Sequence, residues 1–173
     1  MAGEGPVVRI RRATTADLDG VLAIERVSFS DPPWSRAAFA SLIGDPQAQF
    51  LVAIHEDQET VAGQREWSPA RSTVVGYVVT WIAGDEGDLS NLAVAPEMRR
   101  RGLGGRLLDA AIQSALAAGV RALYLEVRES NAIALRLYAS RRFAAVGRRR
   151  RYYRQPLEDA LILCVNLSAS PSA

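Results

Sequence analysis

The sequence predicts an α/β (α+β) protein with a single domain, in which one mixed sheet has helices on its faces. The length of 173 residues suits one hydrophobic core. Hydrophobic residues make up 49% and charged residues 23%, which is the usual balance of a globular protein. Segments with strand and helix periodicity follow one another in the order β-α-α-β-β-β-α-β-α-β-β, which predicts helices packed on a sheet.

The first half of the chain contains signals for two helices and two strands. Thr14 and Asp17 resemble a capping box, which predicts a helix that continues to about Ser28. Ser35 is a favourable cap for a short second helix, which Gly44 ends. The same reasoning predicts strands over 7–11 and 50–54, then a long polar loop over 55–72.

The second half contains the longest helical pattern, from Gly102 to Ala118, with Gly119 as its expected C-cap. Asn131 is placed to cap a further helix that reaches about Arg141. Alternating apolar residues predict the remaining strands over 73–82, 88–94, 122–127, 143–147 and 159–167.

The composition excludes several classes of site. The chain has one cysteine and one histidine, so neither an intramolecular disulfide nor a Cys- or His-based metal centre is expected. It contains no apolar run of bilayer-spanning length and no signal-peptide pattern at its start. We therefore expect a cytoplasmic protein with no metal and no membrane partner.

All basic residues are arginines, although the net charge is only +2. Arginines cluster at 99–101 and at 148–151, and such clusters favour a polyanion or the acidic part of a cofactor. A GC-rich genome is the alternative explanation for the composition. For the run at 148–151, the alternatives are a solvated edge of the fold and a ribosome- or RNA-facing patch.

The strongest local signal is a glycine-rich turn between a predicted strand and the longest helix. Its glycines allow backbone N–H groups to approach a ligand, and the first N–H groups of a helix have no intrahelical partners. The turn therefore predicts a site for an anion such as a pyrophosphate, although turn glycines that merely start a helix are the alternative. It matches neither the dinucleotide-binding pattern nor the P-loop pattern.

Two motifs give the chain a family resemblance. Arg99, Gly102 and Gly104 match Arg-x-x-Gly-x-Gly, and by this motif the chain resembles the GNAT superfamily of acetyltransferases. A second family pattern, Asn-x-x-Ala-x-x-Leu-Tyr, runs from Asn131 to Tyr138. Within the superfamily, the segments most similar to the RimI-type alanine N-acetyltransferases of ribosomal proteins are 33–35, 125–131, 150–153 and 157–160.

The resemblance implies a site for acetyl-coenzyme A. One strand would pair with the pantetheine and present an amide to the thioester oxygen, while the glycine-rich turn would hold the pyrophosphate. The residues expected to bind this co-substrate are Leu92, Ala93, Val94, Arg99, Arg100, Arg101, Gly102, Leu103, Gly104, Gly105 and Asn131.

The resemblance also implies two catalytic residues, Glu126 as general base and Tyr138 as general acid. An α-amine has a pKa near 8, so at neutral pH it is mostly protonated and must lose a proton before it attacks. A partly desolvated carboxylate in mid-strand is suited to accept that proton. The alternatives are that Glu126 is a solvated residue paired with Arg121 or Arg128, and that Tyr138 is a core aromatic residue.

The acceptor implied by the resemblance is the N-terminal α-amine of an Ala-initiated ribosomal protein of the small subunit, with no nucleic acid required. Trp34, Tyr152 and Tyr153 are candidate acceptor contacts. Packing of Trp34, and ordinary strand positions for the two tyrosines, are the alternatives. Acetylation of a small amine or a lysine side chain, and a non-catalytic acyl-coenzyme A-binding module, also remain open.

The resemblance further implies a mostly antiparallel sheet flanked by about four helices, an acetyltransferase domain over 1–167 and a frayed tail over 168–173. Two features depart from the family. The predicted loop over 55–72 is longer than expected, and Arg142 stands where the family usually has Gly before Phe143. If Arg142 is left-handed, its side chain costs about 1 kcal/mol.

Overall fold

A computed structural model of the chain describes residues 7–30, 32–61 and 64–167, and the side chains of these residues except 57–61 and 64–71. The described residues form one seven-stranded sheet with helices on both faces. The strands are β1 (Val7–Arg12), β2 (Ala48–Val61), β3 (Gln64–Ala83), β4 (Glu86–Val94), β5 (Ala122–Arg128), β6 (Ala144–Arg154) and β7 (Leu157–Asn166). The helices are α1 (Leu18–Ser28), α2 (Arg36–Leu42), α3 (Leu103–Ala117) and α4 (Ala132–Ala139).

The predicted order of strands and helices is confirmed. The strands lie in the order β1-β2-β3-β4-β5-β7-β6, and every neighbouring pair is antiparallel except β4 and β5. The prediction of a mixed, mostly antiparallel sheet with about four helices is therefore correct. No helix within the described ranges is long and apolar enough to cross a membrane.

Local capping chemistry fixes the starts of three helices. The Thr14 N–H donates to the Asp17 carboxylate over 2.7 Å, which completes the capping box before α1. The Ser35 hydroxyl accepts from the Ala38 N–H over 3.2 Å at the start of α2. The Asn131 side chain does the same for α4. All three caps agree with the sequence predictions.

The helices α1 and α3 pack on opposite faces of the sheet. Two neighbouring residues of β3 show this, since successive side chains of a strand point to opposite faces. The Tyr77 hydroxyl donates to the Glu25 carboxylate of α1. A side chain added at the next residue, Gly76, would instead meet Leu107 of α3 at 2.8 Å. Glycine at this position thus allows α3 to lie directly on the sheet. Both helices bury their apolar sides there, which forms the core.

The strands β4 and β5 pair over part of their length and then diverge. They pair in parallel over three residue pairs, from Glu86 with Ala122 to Asp88 with Tyr124. A register shift between β3 and β4 then leaves Ser90 as an extra residue, and such a bulge bends the strand that carries it. Beyond this point β4 continues beside β3 and β5 continues beside β7, so an opening forms in the middle of the sheet.

The predicted loop over 55–72 is wrong, because its described residues belong to β2 and β3. The two strands pair from Gln58 with Trp67 to Val61 with Gln64. Backbone pairing can extend a hairpin without an alternating apolar pattern, so the polar sequence concealed the strands. Pro69, a residue that is unfavourable inside a paired strand, lies in a stretch of β3 where the register shifts and no pairing is recorded.

The strand β6 is also longer than the predicted 143–147, since it continues through the arginine run to Arg154. It is one of the two edge strands of the described sheet and is exposed along nearly its whole length. This agrees with the interpretation of 148–151 as a solvated edge. The predicted tail over 168–173 lies outside the described residues.

Arg142 adopts the left-handed conformation, with φ of 66°, which is the case for which a cost of its side chain was considered. Replacing Arg142 with Gly should therefore raise the free energy of unfolding by about 0.5–1 kcal/mol, because Gly avoids the Cβ strain but loses more chain entropy. Urea denaturation measures the change. Arg142→Ala is the matched control, since it removes the same charge but keeps the Cβ atom. Equal gains in both variants would show that backbone strain is not the cause.

Candidate active site

The turn before α3 exposes the backbone groups of a helix start. Gly102 occupies the N-cap position with φ of 75°, and Arg100 is also left-handed with φ of 60°. The first hydrogen bond of the helix runs from the Arg106 N–H to the Gly102 carbonyl over 3.1 Å. Among the described residues, no protein acceptor is recorded for the N–H groups of 103–105. These donors and the helix dipole suit an anion.

The three arginines of the turn differ in what they contact. The Arg99 side chain donates from Nε to the Val94 carbonyl over 3.0 Å and from Nη2 to the Ser28 hydroxyl over 3.3 Å. This guanidinium therefore ties the end of β4 to α1, and the role of Arg99 in holding the co-substrate stays a prediction. Arg100 and Arg101 are exposed and carry their charges beside the helix start.

The glycines of the first turn of α3 face α4. A Cβ atom on Gly104 would lie 3.5 Å from Leu137 and 3.9 Å from Val94, which is ordinary contact. A Cβ atom on Gly105 would lie 2.6 Å from the Arg141 guanidinium. That guanidinium is held by two hydrogen bonds of 2.9 Å to Asp109, so α3 and α4 are cross-linked at this point.

The part of β4 predicted to bind the co-substrate lies along the opening. Leu92, Ala93 and Val94 pair with β3 through one edge of the strand. Their other edge faces the opening, and no described strand pairs with it. Asn131, at the start of α4, accepts from the Ala134 N–H over 3.1 Å through its carbonyl oxygen, which leaves its amide N–H donors for a ligand.

A cavity of about 260 Å³ lies along the paired stretch of β4 and β5 and extends to Glu126, just beyond the last residue pair. Glu126 of β5 lines it, and its carboxylate contacts the Nε atom of Arg149 over 2.8 Å. The contact shown for Glu126 is thus with Arg149, a residue that the solvated alternative did not name. Arg128 contacts Glu158 over 3.3 Å and lies 4.0 Å from the centre of the Tyr153 ring.

A second carboxylate, Asp88, lines the same cavity from β4. Burial raises the pKa of the Asp88 carboxyl, the charge of Glu126 raises it further, and Arg149 lowers it. Asp88 and Arg149 were not singled out from the sequence. Alternation in β4 and β5 is the signal that could have found Asp88, because Asp88 pairs with Tyr124 and shares a face with Glu126.

Tyr138 lies on α4 and is buried, with its ring centre 5.6 Å from that of Phe143. Burial raises the pKa of the Tyr138 hydroxyl to about 12, and Tyr153 adds to the effect. Burial likewise raises the pKa of Tyr153 to about 12, with a further contribution from Tyr152 and a smaller one from Glu126. Tyr153 thus interacts electrostatically with both residues predicted to be catalytic.

The other two candidate acceptor contacts fall in different places. Tyr152 lies next to Tyr153 on β6, half exposed, with ring centres 5.1 Å apart. Trp34 lies in the α1–α2 connection. Its ring centre lies 5.4 Å from that of Phe39, and its backbone N–H donates to the Glu25 carboxylate over 2.8 Å. The packing interpretation of Trp34 therefore fits its contacts.

Glu25 is a buried carboxylate that the sequence analysis did not identify. Besides the Trp34 N–H and the Tyr77 hydroxyl, it accepts from the Asn91 side chain over 3.4 Å. Burial raises the pKa of Tyr77, and its bond to Glu25 raises it further. This network joins the α1–α2 connection to β4 beside the opening. A carboxylate within the apolar stripe of a predicted helix is the signal that could have found it.

The fold and the site define a class of protein. The chain belongs to the acetyltransferase (GNAT) family, whose sequence model matches residues 18–143. The predicted enzyme class, an acetyl-coenzyme A-dependent N-acetyltransferase, is confirmed by this membership.

Individual relatives and one solved structure resemble the chain over most of its length. The chain is 33% identical over 160 residues to a putative ribosomal protein bS18-alanine N-acetyltransferase of Bacillus subtilis, which covers 92% of this chain and 95% of the relative. It is 35% identical over 156 residues to the ribosomal protein bS18-alanine N-acetyltransferase of Escherichia coli K12, covering 89% and 94%. The crystal structure of the ribosomal-protein-S18-alanine N-acetyltransferase from Escherichia coli superposes with a TM-score of 0.75 at 32% identity, covering 96% and 97%. The predicted resemblance to RimI-type enzymes is therefore confirmed.

Proposed function

We propose that the protein transfers an acetyl group from acetyl-coenzyme A to the N-terminal α-amine of an Ala-initiated protein, ribosomal protein bS18 of the small subunit. The observation that carries the proposal is the position of Glu126, whose carboxylate lines an open cavity just beyond the last residue pair of β4 and β5. The similarity to bS18-alanine N-acetyltransferases over about nine tenths of both chains supports this acceptor.

The residues around the opening fit acetyl-coenzyme A. The free N–H groups of 103–105 and the charges of Arg100 and Arg101 would hold the pyrophosphate. The unpaired edge of 92–94 would pair with the amide groups of the pantetheine arm, and Asn131 would add a donor. When bound, the co-substrate supplies the acetyl group as a thioester.

Glu126 would take the proton that the acceptor amine must lose. The α-ammonium group has a pKa near 8, so a carboxylate within hydrogen-bond reach, or one water away, lowers the barrier for its deprotonation. The side chain of Glu126 is 22% exposed, so a group entering the cavity can reach it. A backbone N–H on the free edge of β4 would donate to the oxygen on which negative charge develops.

Tyr138 would hold the proton for the departing sulfur. Because burial raises its pKa to about 12, its hydroxyl stays protonated across the neutral range and can donate a hydrogen bond. No limb of the pH–rate profile between pH 6 and pH 10 should therefore belong to Tyr138.

Replacing Tyr138 with Phe should lower kcat by about 10- to 100-fold, less than loss of the base, because a thiolate leaves readily without full protonation. Steady-state kinetics with saturating acetyl-coenzyme A measures the effect. Phe keeps the ring that packs on Phe143, so an unchanged Tm is the control for folding. An undiminished kcat would show that the thiolate leaves without help from Tyr138.

The acceptor is tested by comparing rates on four substrates. A peptide that copies the N-terminus of bS18 should be acetylated much faster than free lysine, a polyamine, or the same peptide with a blocked α-amine. Mass spectrometry of the products measures each rate. Equal rates on the peptide and on small amines would overturn the proposed acceptor and favour an acetyltransferase of small amines.

A further inference from the structure

The carboxylate of Glu126 is already paired within the protein. Arg149 reaches it from the edge strand β6, and its Nε atom lies 2.8 Å from the Glu126 Oε1 atom. The Arg149 side chain is 56% exposed, and its guanidinium lies 5.8 Å from the centre of the Tyr152 ring. A cation that belongs to the protein thus stands beside the oxygen that the acceptor amine has to reach.

Among the described residues that line the cavity, Arg149 is the cation and Glu86, Asp88 and Glu126 are the anions. Asp88 and Arg149 interact electrostatically as well, so Arg149 neutralises two carboxylates at once. The other titratable groups that line the cavity or interact with Glu126 are Tyr124 on β5 and Tyr152 and Tyr153 on β6.

We propose that Arg149 is a positioning residue for the reaction: its guanidinium is the counter-ion of Glu126 in the free enzyme, and the ammonium group of the acceptor competes with it for that carboxylate. The inference rests on the proposed function, in which Glu126 is the base. It adds that the protein presents this base already paired with a cation.

The acceptor ammonium can replace the Arg149 guanidinium at the Glu126 carboxylate at a small cost in free energy. A pair with one half-exposed partner is weak, so its loss is easily offset by a new pair with the acceptor. Arg149 lies on an edge strand, and no other strand of the described sheet covers it. While paired, the guanidinium fixes the position of the Glu126 carboxylate; when displaced, it leaves the carboxylate facing the amine.

Replacing Arg149 with Gln should have two effects. The KM for the acceptor peptide should fall by about two- to five-fold, because a competing cation of the strength of a partly exposed pair is gone. The kcat should stay within about twofold of the wild-type value, because the guanidinium is displaced before the amine reacts. Calorimetric affinity for the peptide without acetyl-coenzyme A should rise in parallel with the fall in KM.

Three further variants control the experiment. Arg150→Gln removes the same charge from the neighbouring position, where it acts on Asp159, and should leave KM unchanged. Arg149→Lys keeps a cation and should restore KM towards the wild-type value. Asp88→Asn removes an anion beside Glu126, so it should raise KM, opposite in sign to Arg149→Gln.

Opposite shifts in Arg149→Gln and Asp88→Asn support the proposal, since general loss of structure would move both variants in the same direction. A KM that rises in Arg149→Gln, or one that stays at the value of Arg150→Gln, overturns it. If the wild-type enzyme prefers a small amine to the peptide, the proposed acceptor fails, and the same comparison with that amine still decides the role of Arg149.

Discussion

Replacing Glu126 with Gln lowers kcat by about 10²- to 10⁴-fold and leaves the affinity for acetyl-coenzyme A unchanged, if Glu126 is the base. Gln has nearly the same shape as Glu, so the wall of the cavity stays the same, but Gln cannot accept the proton of an ammonium group. Because the free α-amine becomes abundant above its pKa near 8, the variant should regain part of its rate as the pH rises. Steady-state kinetics between pH 6 and pH 10 measures both effects.

The matched control is Glu129→Gln, since Glu129 follows the same strand but pairs with Arg148 over 2.6 Å, and it is not among the residues that line the cavity. This variant should keep its kcat within about twofold, as expected for an exposed pair. Unchanged turnover in Glu126→Gln at neutral pH would remove Glu126 as the base. Equal losses in the two variants would point to a general effect of surface charge.

Replacing Gly104 with Leu should weaken the binding of acetyl-coenzyme A by about tenfold or more, since overpacking a filled space typically costs 1–3 kcal/mol. A single added Cβ atom would already contact both Leu137 and Val94, so a longer side chain must extend into the space between β4 and α4. Leu is a good helix former, so α3 itself should not suffer. Isothermal titration with coenzyme A measures the loss.

The control for this variant is Gly104→Ala. Its Cβ atom would lie at ordinary contact distance, 3.5 Å from Leu137 and 3.9 Å from Val94, so affinity should stay close to that of the wild type. The pair of variants separates filling of the opening from loss of glycine flexibility. Equal affinity of Gly104→Leu and the wild type would mean that the co-substrate is held elsewhere.

Where burial and local capping agree, the sequence predicts the fold well. The start of α1 follows from Thr14 and Asp17, and the alternation in β5 places Leu125 in the core and leaves Glu126 towards the cavity. These features depend on residues that are close in sequence. Each can therefore be inferred from spacing alone, without knowledge of the partners across the sheet.

Elements that are not half-buried escaped prediction. The strands over 55–72 and the strand through the arginine run carry polar residues, and exposed ladders need no apolar alternation. These strands can be identified only from the strands that pair with them, which are distant in the sequence or are themselves polar. The edge position of β6 also explains how Arg151 can be left-handed, since the register shifts between Arg149 and Tyr153.

The candidate site was predicted in its sequence motifs but not in its cross-strand contacts. Asp88 and Arg149 reach Glu126 from two other strands, and no local pattern predicts which strands are neighbours. The use of Arg99 as a brace for Val94 and Ser28 was likewise hidden, because its motif position says nothing about its bonds. Contacts that depend on the order of the strands in the sheet could therefore be found only from the structure.

The most direct test is the position of the acetyl group on one peptide that begins with Ala and contains an internal lysine. After incubation with the enzyme and acetyl-coenzyme A, tandem mass spectrometry should find the acetyl group on the α-amine of the wild-type product. With Glu126→Gln, the same product should form far more slowly. Acetylation of the lysine side chain instead, or an undiminished rate with Glu126→Gln, would contradict the account.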